Sequence, residues 1–164
     1  MRIAMASDHA GFALKAELLP LVRACGHEPI DVGTHGLDPV DYPDYALAGC
    51  RMVAAGHAER AILCCGSGVG MCVAANKIPG IRAGNVADHY SAHQGVEHDD
   101  MNVLVLGGRT TGAAVAAELV RAFLAAHFSG EERHLRRLEK VLAIEADPAR
   151  ALAIPAGAAA PGPR

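Results

Sequence analysis

Tryptophan is absent from this chain of 164 residues, and only three phenylalanines and three tyrosines occur. So few flat rings leave no set of stacking platforms of the kind on which single-stranded nucleic acids lie. Neither sign of charge dominates: the formal net charge is -3 and the pI about 6.3, which argues against a broad basic face for nucleic acid. No uninterrupted apolar stretch approaches the ~20 residues that cross a bilayer, so no membrane partner is expected. The opening MRIAMASDHAG lacks the long apolar core of a secretion signal, because Asp8 and His9 arrive early. Cysteine is too awkwardly placed for a disulfide scaffold: there are five, an odd number, and Cys64 adjoins Cys65. A reducing, cytoplasmic setting is the expectation that follows.

What the chain does have is core-forming material. Hydrophobic residues make up 51% and charged residues 20%, enough for one domain built on Ala, Val, Leu and Ile. Short apolar runs alternate with amphipathic segments, the pattern of a βα repeat with a parallel sheet. Strands are expected at 2–6, 28–32, 60–64, 81–86 and 103–106, with Pro29 weakening the second and suiting either a strand's first residues or an edge. In the first helix Leu14, Leu18, Leu21 and Val22 share a face, with Lys15, Glu17 and Arg23 mostly elsewhere. Further helices are expected near 43–55, 70–76, 88–97, 111–127 and 131–146. Right-handed crossovers then give a three-layer αβα, Rossmann-like α/β sandwich around five parallel strands. Residues 1–146 are read as that domain. Residues 147–164, dominated by Ala, Pro and Gly, are read as a mobile tail.

Ligands of such sheets bind beyond the carboxyl ends of the strands. Two clusters fall there: Ser7-Asp8-His9 after the first strand, and Cys65-Gly66-Ser67-Gly68-Val69-Gly70 after the third. Glycines at alternate positions let the backbone turn tightly and aim N–H groups at an anion, a phosphate or a developing oxyanion. The string is no phosphate loop ending in Gly-Lys-Ser/Thr, and it does not follow the first strand as in a dinucleotide fold. Alone it would fit a plain strand-to-helix turn. The cysteine in front of it changes the reading. Successive strand residues face opposite sides, so only one of Cys64 and Cys65 can enter a site. Cys65, at the turn, is where a thiolate would be stabilised. Cys25, Cys50, Cys64 and Cys72 are read as small core residues.

On the last helix Arg133 and Arg137 share a face, flanked by Arg136 and Lys140, with Leu135, Leu138 and Leu142 on the other side. A solvated basic face explains this as simply as a fork for a phosphate monoester. Nine histidines invite a metal reading. Yet His89 and His93 lack the glutamate of a zinc-protease helix, His98 sits in a polar knot with Asp99 and Asp100, and no CxxC accompanies them, so no metal site is assigned.

Taken in order, SDHAGFALK, DYPDYA, CCGSGVGMCVAANKIPGIRA, EHDDMNVLVLGGR and ERHLRRLE resemble the type B ribose-5-phosphate isomerases, in the superfamily that also holds galactose-6-phosphate isomerase. The resemblance spans residues 1–146. It implies interconversion of an aldose phosphate and a ketose phosphate with no metal and no organic cofactor, through ring opening and an enediolate. Cys65 matches the position of the carbon base; relatives that use a glutamate instead carry it where this chain has Met71. Amides from Gly66, Ser67, Gly68, Val69 and Gly70, with the Ser67 hydroxyl, would hold the enediolate oxygen. His98 matches the ring-opening acid, and Asp8 would handle a hydroxyl proton. His9, Arg109, Arg133 and Arg137 match positions at the phosphate or its approach, and Tyr42 belongs to the pocket wall.

The resemblance further implies a homodimer or tetramer, with each site completed by the neighbouring subunit. Asp99 stands where the family usually has asparagine, and an ionised carboxylate cannot donate a hydrogen bond. Ribose 5-phosphate is the leading substrate. Allose 6-phosphate, galactose 6-phosphate or a tetrose phosphate is the alternative within the class. A non-catalytic phosphosugar-binding module is the alternative outside it, and it would need neither a thiol base nor a ring-opening acid.

Overall fold

Strand β1 (Arg2–Ser7) and β3 (Arg60–Cys65) are buried along all but their first residues, and β5 (Val103–Gly107) is buried throughout. Unbroken apolar strands of this kind belong at the centre of a parallel sheet covered on both faces. They are the centre here. The sheet runs β2-β1-β3-β5-β4, every pair parallel, with β2 (Glu28–Asp31) and β4 (Ala83–Asn85) at the edges. Pro29 is thus tolerated on a strand with one neighbour.

The computed structural model describes residues 1–147 and Ala149, and the chain divides into two compact units, Met1–Ser129 and Gly130–Arg164. In the first unit, Leu14, Leu18 and Val22 of α1 (Phe12–Ala24), Ala92 and Val96 of α4 (His89–Asp99) and the apolar stripe of α5 (Ala113–Ala125) bury against Ile3, Met5, Ile62, Cys64 and Leu104. On the opposite face Ala46 and Cys50 of α2 (Tyr42–Ala54) and Met71 and Ala75 of α3 (Val69–Ala75) bury against Ala4, Ala6, Leu63, Cys65 and Val105. These are the layers expected from the βα alternation. The second unit holds α6 (Glu132–Ala146). All but Asp147 and Ala149 of the expected tail lies outside the described residues.

Differences from the expected boundaries have local causes. The fourth strand shrinks from 81–86 to three residues because Ile81 closes a turn onto Ile78 and the Arg82 amide is taken by the Asn102 side chain. Helix α4 runs on to Asp99, where Asp100 adopts a left-handed conformation (φ 51°) and Arg82 grips its carbonyl and carboxylate. Helix α5 is trimmed at both ends, because Gly112 and Ala126 are extended; Arg60 caps its last turn through the carbonyls of Phe123 and Ala126. Lys15, placed by spacing on the polar side of α1, is fully buried: its ammonium reaches the Asp31 carboxylate and the Thr34 carbonyl (2.8 Å). In α6 the basic face forms as expected, but Leu135 and Leu142 are exposed.

Candidate active site

Three strand ends bring the site together. β1 delivers Asp8 and His9, β3 delivers Cys65 and the glycine loop, and β5 delivers Arg109. Backbone hydrogen bonds stitch these turns: the Asp8 amide donates to the Cys64 carbonyl (3.2 Å), Gly108 to Cys65 (2.7 Å) and Arg109 to Gly66 (2.9 Å). Such approach requires bare backbone. A Cβ on Gly11 would overlap the Cys64 carbonyl, and one on Gly108 would lie 2.8 Å from the Ala10 carbonyl oxygen. The result is a cleft of about 480 Å³, within the range of small-molecule sites.

Cys65 lines this cleft, whereas Cys64 is packed into the opposite core, as strand alternation requires. Burial pushes the Cys64 thiol up to about 12, and Cys50 likewise, so neither is a nucleophile near neutrality. The Gly68 amide donates to the Cys65 sulfur at 3.1 Å, which fixes the side chain against the glycine turn. The glycine loop therefore divides its amides differently from the expected row of five. Gly68 serves the sulfur, and Val69 donates to the Ser67 hydroxyl (3.4 Å) with its own side chain exposed. Gly66, Ser67 and Gly70 are the loop residues on the cleft wall.

Asp8 accepts the Gly11 amide on Oδ1 (2.9 Å), which fixes its carboxylate at the entry to α1. His9 accepts the Val40 amide on Nδ1 (3.2 Å), so its ring proton sits on Nε2. The 32–41 loop thus orients His9, a link that nothing in the loop's composition announces. Tyr42, the first residue of α2, lays its ring 3.0 Å from where a Gly70 Cβ would be. Arg109 runs along Gly66, its Cδ and Nε 3.8–3.9 Å from the Gly66 Cβ position. Sequence reasoning missed Thr110, which also lines the cleft, and Asn85, whose side chain donates to the Ser67 carbonyl (3.3 Å).

His98 and Asp99 are elsewhere. Helix α4 leads from the carboxyl end of β4 back to the amino end of β5, so its last turn lies at the sheet edge opposite Cys65. Eleven helical residues span about 16 Å. At that end the His98 ring bonds Gln94 through Nδ1 (2.7 Å), and its Nε2 lies 3.8 Å from Glu97. In the second unit, Arg133 pairs with Glu131 at 2.8 Å, and Arg137 sits one turn further along α6. Among the described residues no cluster of three or more His, Cys, Asp or Glu could hold a metal ion, and no helix is long and apolar enough to cross a membrane.

The parallel sheet and a polar cleft at its carboxyl edge, lined by a thiol, a carboxylate, an imidazole and a guanidinium, define an α/β protein of the kind that binds small ligands beyond its strand ends. The Ribose/Galactose Isomerase family matches residues 3–141, and the chain belongs to that family. It is 43% identical over 144 residues to ribose-5-phosphate isomerase B of Escherichia coli (strain K12), covering 88% of this chain and 96% of that protein. The type B ribose 5-phosphate isomerase of Trypanosoma brucei superposes with a TM-score of 0.84 at 51% identity, over 87% of this chain and 97% of that one. The Mycoplasma genitalium ribose-5-phosphate isomerase B, solved with bound ribulose-5-phosphate, gives 0.84 at 35% identity, over 89% and 97%.

Proposed function

We propose that this chain interconverts D-ribose 5-phosphate and D-ribulose 5-phosphate, and that it works in the cytoplasm. The observation that carries the reading is the Cys65 sulfur on the cleft, bonded by the Gly68 amide and faced by Asp8, His9 and Arg109. A carbon acid next to a carbonyl needs a base close to it and donors for the oxyanion. The closed sugar first opens as His98 protonates the ring oxygen and Asp8, through its second carboxylate oxygen, takes the proton of the C1 hydroxyl. The Cys65 thiolate then removes the proton from C2, giving an enediolate whose oxygen the Gly66 and Ser67 amides and the Ser67 hydroxyl hold. Return of that proton to C1, with a hydroxyl proton exchanged between the two oxygens, yields the ketose. The phosphate is held by the His9 Nε2–H and Arg109; Arg133 and Arg137 are assigned to it by the family resemblance alone.

His98 cannot meet Cys65 of its own chain, because α4 carries it to the other edge of the sheet. The site is therefore shared in a homodimer, each cleft receiving His98 and Asp99 from a second copy. The exposed apolar residues of α6, Leu135, Val141, Leu142 and Ile144, support such an association. Residues 1–146 act as one catalytic domain in this reading.

A coupled assay of the purified protein over pentose, hexose and tetrose phosphates, with and without chelator, tests it. Turnover of ribose 5-phosphate above the others, unaffected by chelator, is expected. A tetrose phosphate as best substrate would remove the pentose assignment and leave the isomerase class. Binding without turnover of any of them would leave a phosphosugar-binding module.

A further inference from the structure

We infer that Asn85 is a positioning residue for the Cys65 thiol: by gripping the Ser67 carbonyl, its side chain aims the Gly68 amide at the sulfur. The Ser67 carbonyl and the Gly68 N–H are two ends of one peptide plane. The only cis peptide among the described residues is Gly33–Thr34, so this one is trans, and its C=O and N–H point in opposite directions. Asn85 Nδ2 donates to the oxygen at 3.3 Å, and the Gly68 N–H meets Cys65 Sγ at 3.1 Å. The plane is thus held at both ends. Donation to a carbonyl also polarises its amide and strengthens the N–H as a donor.

Two further close approaches crowd the same peptide. Gly68 is left-handed (φ 83°), and the space its Cβ would take is filled by the Asn85 amide, with Cγ 2.8 Å and Nδ2 3.0 Å from that point. On the other side Gly107 backs the same peptide; a Cβ there would lie 2.7–2.8 Å from the Ser67 carbonyl carbon and oxygen. Asn85 stands at the end of β4 and reaches past β5 to the loop after β3. It can do so because β5 gives out at Gly107-Gly108, which put no side chain in the way. A flip would turn the Ser67 oxygen toward the sulfur, where it would repel a thiolate.

The catalytic meaning of this arrangement rests on the proposed role of Cys65 as base, but the arrangement is testable without turnover. Asn85→Leu removes the donor at similar size, and Asn85→Asp replaces it by a carboxylate that repels the Ser67 oxygen. The other titratable groups around the sulfur, Asp8 and His9 after β1, Tyr42 on α2, Cys72 on α3, Arg109 after β5 and Cys64 on β3, are the same in both variants. The rate of iodoacetamide labelling of Cys65 against pH, read by peptide mass spectrometry, is the measurement, with Cys25 in the same digest as reference. The pH midpoint should rise by about one unit or more, the scale of a lost hydrogen bond to a charged group. The pH profile of kcat/KM for ribose 5-phosphate should move with it while KM stays nearly constant. A Cys65 midpoint that does not move in either folded variant overturns the inference. A midpoint that moves while the kcat/KM profile stays still upholds it and removes Cys65 from the base role instead.

Discussion

Cys64 and Cys65 are neighbours in the chain and sit on opposite faces of the sheet, one closed into the core under α1 and α5, the other buried at the cleft wall with an amide on its sulfur. A single step of strand register separates an inert thiol from one placed for chemistry. Burial drives the first up to about 12. The glycine turn that follows supplies the second with its donor.

Cys65→Ser is expected to lower isomerisation by about 10²-fold or more, the scale of a lost general base, while ribose 5-phosphate still binds. Cys64→Ser should change the rate far less. Initial rates set beside isothermal titration of the sugar phosphate check this; Cys65→Ser retaining over about a tenth of the activity would take the base role away from it.

Cys65→Ser and His98→Asn should each be nearly inactive alone, yet mixing them under exchanging conditions should restore roughly a quarter of the normal activity. Half the dimers are then mixed, and each mixed dimer contains one intact site. No recovery, with subunit exchange verified by mass, would place His98 outside a shared site.

For Arg137→Ala, KM for the sugar phosphate should rise by about 10- to 100-fold with a smaller fall in kcat, as for a charge-assisted partner worth ~1.5–3 kcal/mol. Arg133 is already engaged by Glu131 at 2.8 Å, so Arg133→Ala should raise KM less. Lys140→Ala should leave KM unchanged, and steady-state kinetics on the three variants decide among them.

Alkaline stability carries a signature of the buried thiols. Cys50 titrates near 9.0 when unfolded and at about 12 in the fold, because burial opposes its charge. Its contribution is complete below pH 9 and is lost as pH rises toward 12, where the unfolded chain holds fewer protons. The slope is at most ~1.4 kcal/mol per pH unit. Denaturant midpoints measured across this window should fall less steeply for Cys50→Ala than for the unsubstituted protein.

Lys15→Met should destabilise the fold by about 3 kcal/mol or more, because it leaves Asp31 and the Thr34 carbonyl without their cation. A shift in melting temperature under one degree would show that the pair contributes nothing net.

Lys15 also marks where sequence reasoning stopped. The layers, the strand order of burial and the sidedness of Cys64 and Cys65 follow from periodicities of two and 3.6, which are local. Lys15 is charged and flanks an apolar stripe, so spacing alone puts it in water. Its partners lie on β2 and the loop beyond, and only the packed fold brings them within reach. The Val40 amide on His9, the Asn85 amide on Ser67 and Thr110 on the cleft wall escaped for the same reason. Each depends on which turns meet at the sheet edge. His98 shows the reverse: its proposed role rests on resemblance, and the direction of α4 places it at the end of the sheet away from Cys65 of the same chain.

The seams between Asp8 and Cys64, Gly108 and Cys65, and Arg109 and Gly66 are made by main-chain atoms alone. A floor assembled this way is indifferent to what its side chains are. Substitution of the side chains at positions 67 and 109, which line the cleft but make none of those seams, therefore leaves the frame in place, whereas Gly11, Gly107 and Gly108 admit no such freedom. Libraries built to change the substrate of this chain should spare those three glycines and randomise the walls.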